Sequence, residues 1–202
     1  MPREPRNFES LINKVQGLSE GQLRAHFTLY GGYVAKLNEI ELKLASADRT
    51  KPNYSFNEFS ELKRREPVAF NGTFLHELYF ENLTAPGSTP GAAFTQAVSA
   101  SFGSVDEWLL DVKAGLASMH GWVLTTWSYL DGKVRNNVIQ SEHHVGLFVG
   151  QETLVAIDAW EHAYFLDYGT KKPDYVGAML KAIDYSVVDR RFALAQARAA
   201  IS

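Results

Sequence analysis

The chain has 202 residues, 46% hydrophobic and 21% charged, with a net charge of −3 and no cysteine. That length suits one compact unit or two small domains sharing an interface, and the composition is that of a soluble globular protein. The acidic balance argues against nucleic acid as a partner, while the lack of cysteine excludes disulfides, thiolate catalysis and Cys-ligated zinc.

No stretch approaches the roughly 20 apolar residues of a membrane span. The polar start Met1-Pro2-Arg3-Glu4-Pro5-Arg6 leads into no apolar segment of a secretory signal. A cytoplasmic protein with no membrane partner is therefore expected. Any bound metal must use His, Asp or Glu, a donor set that favours Fe, Mn or Zn.

From Phe8 to Leu83 the apolar spacing is helical. Leu11, Ile12, Val15 and Leu18 mark a first stretch, and Ser19-Glu20-Gly21-Gln22 reads as a capping box. A long helix is expected from Gln22 towards Leu44, striped by Leu23, Phe27, Tyr30, Tyr33, Val34, Leu37 and Ile40. Ala45 to Pro52 reads as a loop, followed by two separate helices over Phe56–Arg65 and Phe70–Leu83. Ala85-Pro86-Gly87-Ser88-Thr89-Pro90-Gly91 is the strongest linker. It divides the chain into an N-terminal helical hairpin domain, 1–85, and a C-terminal α/β domain, 86–202.

Beyond the linker, Ala92–Phe102 and Val105–Met119 are helical. The period then changes: Trp122–Tyr129 and Val134–Gln140 are β-branched and aromatic and flank an Asp131-Gly132 hairpin turn. Leu154–Ile157 gives a third short strand, and helices resume through Tyr175–Ala199. The expected fold is α+β, a long N-terminal α-hairpin followed by a small three-stranded antiparallel sheet flanked by helices.

The third strand runs directly into Asp158-Ala159-Trp160-Glu161-His162, which sets a carboxylate and an imidazole four residues apart. His26 and His76 each lie on a helix beside aromatic residues. Brought together at the interface of the two domains, His26, His76, Asp158 and His162 form a three-His, one-carboxylate set. Such a set leaves room for a bound solvent molecule and suits a redox-active first-row ion. Spacing alone equally allows each histidine to be a hydrogen-bonded core residue.

The segment Asp158-x-Trp160-Glu161-His162-Ala163-Tyr164 resembles the signature of the iron/manganese superoxide dismutases. His26 is similar in its setting, with Leu18-Ser19-Glu20 before it and Tyr33-Val34 after it. So is His76, with Tyr79, Phe80 and Leu83. Ser101-Phe102-Gly103-Ser104, Gly121-Trp122, Asp131-Gly132-Lys133, Asp167-Tyr168 and Pro173-Asp174-Tyr175 extend the likeness from about Leu18 to Phe192. The resemblance implies an antioxidant oxidoreductase that converts superoxide to O2 and H2O2 by redox cycling of one Fe or Mn ion per subunit; both ions accept this ligand set, and iron is slightly favoured. It implies His26, His76, Asp158 and His162 as ligands, Tyr33 as the active-site tyrosine, and Trp122 and Trp160 as walls. It also implies a homodimer in which Glu161 bonds the partner's His162 across the two-fold axis.

The chain departs from the family at several points. His26 and Tyr33 are seven residues apart where eight is usual, and Tyr30-Gly31-Gly32 stands in place of a His-His pair. Phe165 replaces a second tyrosine, and the outer-sphere glutamine is missing from both of its usual places. Gly72 occupies one, and Ser141-Glu142-His143-His144 the other. His143 is expected to substitute for it, bonding the metal-bound solvent, with His144 as the alternative. His120 is read as structural, and Lys171 and Lys172 as solvated loop residues that could steer an anion. Two other readings remain: a structural or binding relative without dismutase activity, and another metal-dependent redox enzyme in the same cradle.

Overall fold

A computed structural model describes residues 2–199. Helix α1 (Glu20–Ser46) buries Leu23, His26, Tyr30, Val34, Leu37, Ile40 and Leu44. Their alternating three- and four-residue spacing makes one seam, which packs along α2 (Glu58–Glu81) to form the expected hairpin. Ser19 caps α1 by accepting a hydrogen bond from Gln22 N at 3.1 Å. The reciprocal half of the capping box does not form, because the Gln22 side chain is buried and spent elsewhere. Ser19 N donates instead to Asp167 Oδ2 at 2.7 Å.

The two helices expected at 56–65 and 70–83 are one. Asn57 caps it through Ser60 N, and Pro67 lies inside it. A proline there removes one helical hydrogen bond, yet Ala69, with Phe59 and Leu62, packs against Leu37, Ile40 and Leu44 of α1. Tertiary packing thus carries the helix across a residue that reads locally as a break. Before α1, the helical stretch expected around Leu11–Leu18 reduces to a single 3-10 turn, Glu9–Leu11, although Leu11, Val15 and Leu18 are buried as their spacing suggested.

Helices α3 (Ala92–Phe102) and α4 (Val105–Ser118) lead into the sheet, whose strand order is β2-β1-β3. All neighbours are antiparallel, with β1 (Gly121–Ser128) central and buried along its whole length. Strand β2 spans Val134–Gln140. Strand β3 runs from Gln151 to Asp158, longer than its apolar run, because polar Gln151, Glu152 and Thr153 still pair with Ser128, Trp127 and Thr126. In that register Trp122 faces Asp158 on one side and Ile139 on the other.

The C-terminal helical region is three pieces: α5 (Phe165–Tyr168), α6 (Lys172–Lys181) and α7 (Tyr185–Ala199). The chain leaves helix at Ile183, which bridges to Leu83, while Asp184 N donates to Asn82 O at 2.7 Å. One hydrophobic cluster joins Leu23 and Tyr79 of the hairpin to Trp122, Val155 and Phe192 of the sheet and its helices. That shared core fixes the hairpin against the end of β3. Among the described residues no helix is long and apolar enough to cross a membrane.

Candidate metal centre

Strand β3 ends at Asp158, and the chain then turns through a 3-10 segment, Glu161–Ala163, that returns His162 over the strand end. From the hairpin side, His26 and His76 project towards the same point. The Nε2 atoms of His162, His26 and His76 lie 3.0, 3.2 and 3.6 Å from a single carboxylate oxygen, Asp158 Oδ2. One donor atom from each of the four residues falls within 4.8 Å of every other. Asp158 and His76 are fully buried and His26 is 1% exposed.

The second contacts of these residues fix their orientation. Asp158 Oδ1 accepts from Trp160 N at 2.9 Å, and the Asp158 carbonyl accepts from Tyr175 Oη at 2.7 Å. His76 Nδ1 meets the Gly72 carbonyl. A carbonyl only accepts, so Nδ1 carries the proton and Nε2 presents its lone pair to the cluster. Among the described residues, that Nε2 and both nitrogens of His26 have no hydrogen-bond partner. Buried nitrogens without partners are costly. Lone pairs gathered around an anionic oxygen in a dry site are satisfied by a cation, so this donor set fits a metal ion.

The electrostatics agree. Burial pushes the Asp158 carboxyl up, but the charge of His162 and its hydrogen bond hold it well below the usual carboxylate range. Burial lowers the His76 imidazole well below its ordinary value, with His26 adding to the effect, and burial likewise lowers His26. His162 is depressed by burial yet raised overall by Asp158. An ionised carboxylate beside the neutral buried imidazoles of His26 and His76 is the protonation pattern that metal ligation needs.

Around this cluster stands an aromatic wall. Trp122 meets the edge of His76 with centroids 5.0 Å apart, and Trp160 stacks on His162 at 13°. Phe80 contacts His26 edge-on, with ring centroids 5.0 Å apart. Tyr33 stacks on His76 at 5.4 Å. The seven-residue step from His26 to Tyr33 turns an α-helix through about 700°, nearly two full turns. Both residues therefore face the same side without any distortion of α1.

His143 lies 3% exposed inside this wall. Trp122 Nε1 donates to its Nδ1 at 2.8 Å, and its Nε2 meets Tyr33 Oη at 2.7 Å. Indole is a donor only, so Nδ1 is the acceptor and the neutral ring carries its proton on Nε2, donating to Tyr33. His144 does not reach the cluster; its Nδ1 meets the Glu142 carbonyl. Gly72 has a steric explanation: a Cβ there would stand 2.4 Å from Tyr33 Cδ1. A side chain from position 72 and the Tyr33 ring cannot share that space.

Several site residues were hidden in the sequence. Gln22, read as half of a capping box, is fully buried and ties α1 to the signature segment. Its Nε2 donates to the His162 carbonyl at 2.6 Å, and its Oε1 accepts from Leu166 N at 3.1 Å. Tyr30 donates to the buried Glu77 carboxylate at 2.8 Å, which Arg3 also clasps at 2.7 Å. Glu161, Phe165 and His120 are exposed. Lys172 is not a free loop cation: its Nζ donates to the Met119 carbonyl at 2.6 Å, and burial lowers its pKa.

Comparison with known proteins agrees with this geometry. The family described as iron/manganese superoxide dismutases, C-terminal domain, matches residues 90–191. The protein of Aquifex pyrophilus named superoxide dismutase [Fe] is 38% identical over 183 residues, 88% of this chain and 85% of that protein. The superoxide dismutase [Fe] of Cupriavidus metallidurans is 38% identical over 187 residues, covering 90% and 92%. Superoxide dismutase [Mn] 2 of Haloferax volcanii is 30% identical over 171 residues, covering 83% and 82%. The chain belongs to the iron/manganese superoxide dismutase family.

Proposed function

We propose that the protein is a superoxide dismutase, an antioxidant oxidoreductase whose Fe or Mn ion is held by His26, His76, Asp158 and His162. The observation that carries this reading is the convergence of three imidazole Nε2 atoms on Asp158 Oδ2 in a buried site. An ion bound there supplies a one-electron couple between its +3 and +2 states. Asp158 brings negative charge that favours the higher state, and Trp122 and Trp160 keep bulk water away. Tyr33 and His143 form the hydrogen-bonded path on which a proton is held beside the cluster, since His143 donates to the Tyr33 hydroxyl and Trp122 fixes the ring. Overall, two superoxide ions and two protons give one O2 and one H2O2. Iron is preferred because the relatives at 38% identity carry [Fe] in their names.

The same reading includes a division of the chain at residue 85, with two ligands from each side, and a cytoplasmic place of action. It also includes a homodimer. Glu161 stands exposed on the turn that carries His162, and in this reading it bonds the partner's His162 across a two-fold axis. Glu161→Ala is expected to raise the protein concentration at which the dimer half-dissociates in analytical ultracentrifugation and to weaken metal retention about tenfold. An unchanged dimer with full metal content would remove Glu161 from the interface.

Product stoichiometry tests the reaction. Pulse-radiolytic superoxide should give O2 and H2O2 in equal amounts, each at half the superoxide consumed. Peroxide without O2 would indicate a different redox enzyme in the same cradle.

A further inference from the structure

The cavity beside the cluster, about 210 Å³, is lined by Tyr33, Val68, Glu142, His143, Trp160 and His162. Glu142 is the carboxylate among them, in the position least suited to admitting an anion. Arg65 of α2 answers it, with Nη1 2.9 Å from Glu142 Oε1. The two side chains are 59% and 53% exposed, and so open an ion pair adds little to stability. Its consequence is felt instead in the field at the mouth.

The backbone bears the same signature. Ser141, Glu142 and His143 have φ of 36°, 52° and 63°. Three successive non-glycine residues in the left-handed region are strained, and such strain persists only where surrounding contacts hold it. Helix α2 supplies two of those contacts. Arg65 takes the Glu142 side chain, and Asn71 Nδ2, six residues further on, donates to the His143 carbonyl at 2.9 Å. Val68 of the same helix lines the cavity, between the Arg65 and Asn71 that hold the turn. The turn sends His143 inward and leaves Glu142 at the rim, where it requires a cation.

We propose that Arg65 is a specificity-determining residue for small-anion entry: it neutralises Glu142 and so sets the charge at the mouth. The proposal rests on the dismutase reading for its substrate, not for its electrostatics. The test uses metal-loaded full-length protein and three variants, Arg65→Gln, Glu142→Gln and the double variant. Each is assayed for kcat/KM with superoxide and for azide affinity by spectral titration, at low and high ionic strength. Arg65→Gln should lower both quantities about three- to tenfold at low salt. Glu142→Gln should raise both by about threefold, and the double variant should return to within about twofold of the unaltered protein. At about 0.5 M salt the differences should collapse. Single variants that match the unaltered protein, or a double variant as impaired as Arg65→Gln, would overturn the proposal. If the unaltered protein consumes no superoxide, the dismutase reading fails, and the azide series alone still decides the role of Arg65.

Discussion

Asp158→Asn is expected to abolish tight metal binding and to reduce superoxide turnover by about 100-fold or more. The substitution preserves shape and leaves an oxygen able to accept from Trp160 N, so the strand end need not move. What it removes is the anionic charge on which His26, His76 and His162 converge. An amide in that place neither offsets the charge of a cation nor keeps His162 in its present pairing. Loss of a mere outer contact of a metal site typically costs 10- to 100-fold, and loss of a ligand costs more. The check is metal content after dialysis against a chelator, alongside turnover. A variant that retains its ion and its rate would show that the cluster is a satisfied core network and not a metal site.

The second large effect concerns His143. His143→Ala would leave the buried Trp122 Nε1–H without its partner and remove that of the half-buried Tyr33 hydroxyl. A stranded buried donor costs about 1–3 kcal/mol, so a clear fall in melting temperature is expected together with a 10- to 100-fold loss of turnover. His143→Gln separates these effects. A glutamine amide offers one acceptor for Trp122 and one donor for Tyr33, the same pattern that the neutral imidazole presents. Most of the stability should return, while the midpoint potential shifts; about 59 mV corresponds to a tenfold change in a one-electron equilibrium. Equal potentials and rates in the Gln and Ala variants would show that His143 only fills space.

How much of this was legible in the sequence depended on whether the determining contact was local. The signature after β3 is contiguous, so Asp158 and His162 could be found from spacing and then from resemblance. His26 and His76 had helical, aromatic settings that marked them as candidates, though only the folded hairpin brings them to Asp158. Helix α2 read as two helices, over 56–65 and 70–83, because the packing of Ala69 against α1, which carries it past Pro67, is tertiary. Strand β3 read short because its first three residues are polar and owe their place to pairing with β1. Gln22 looked like a cap residue, and nothing near it in the chain announces the His162 carbonyl that it holds. Gly72 was visible as a departure from the family, but its cause is the Tyr33 ring lying against it from another helix.

The decisive measurement is superoxide consumption per bound metal ion, from direct kinetics on protein of known metal content. Dismutase chemistry at this centre requires about one Fe or Mn per chain and a rate constant approaching the diffusional range of about 10⁸–10⁹ M⁻¹s⁻¹, lost when the metal is removed and regained when it is restored. A full complement of metal with no superoxide turnover, or turnover indifferent to metal, would contradict it.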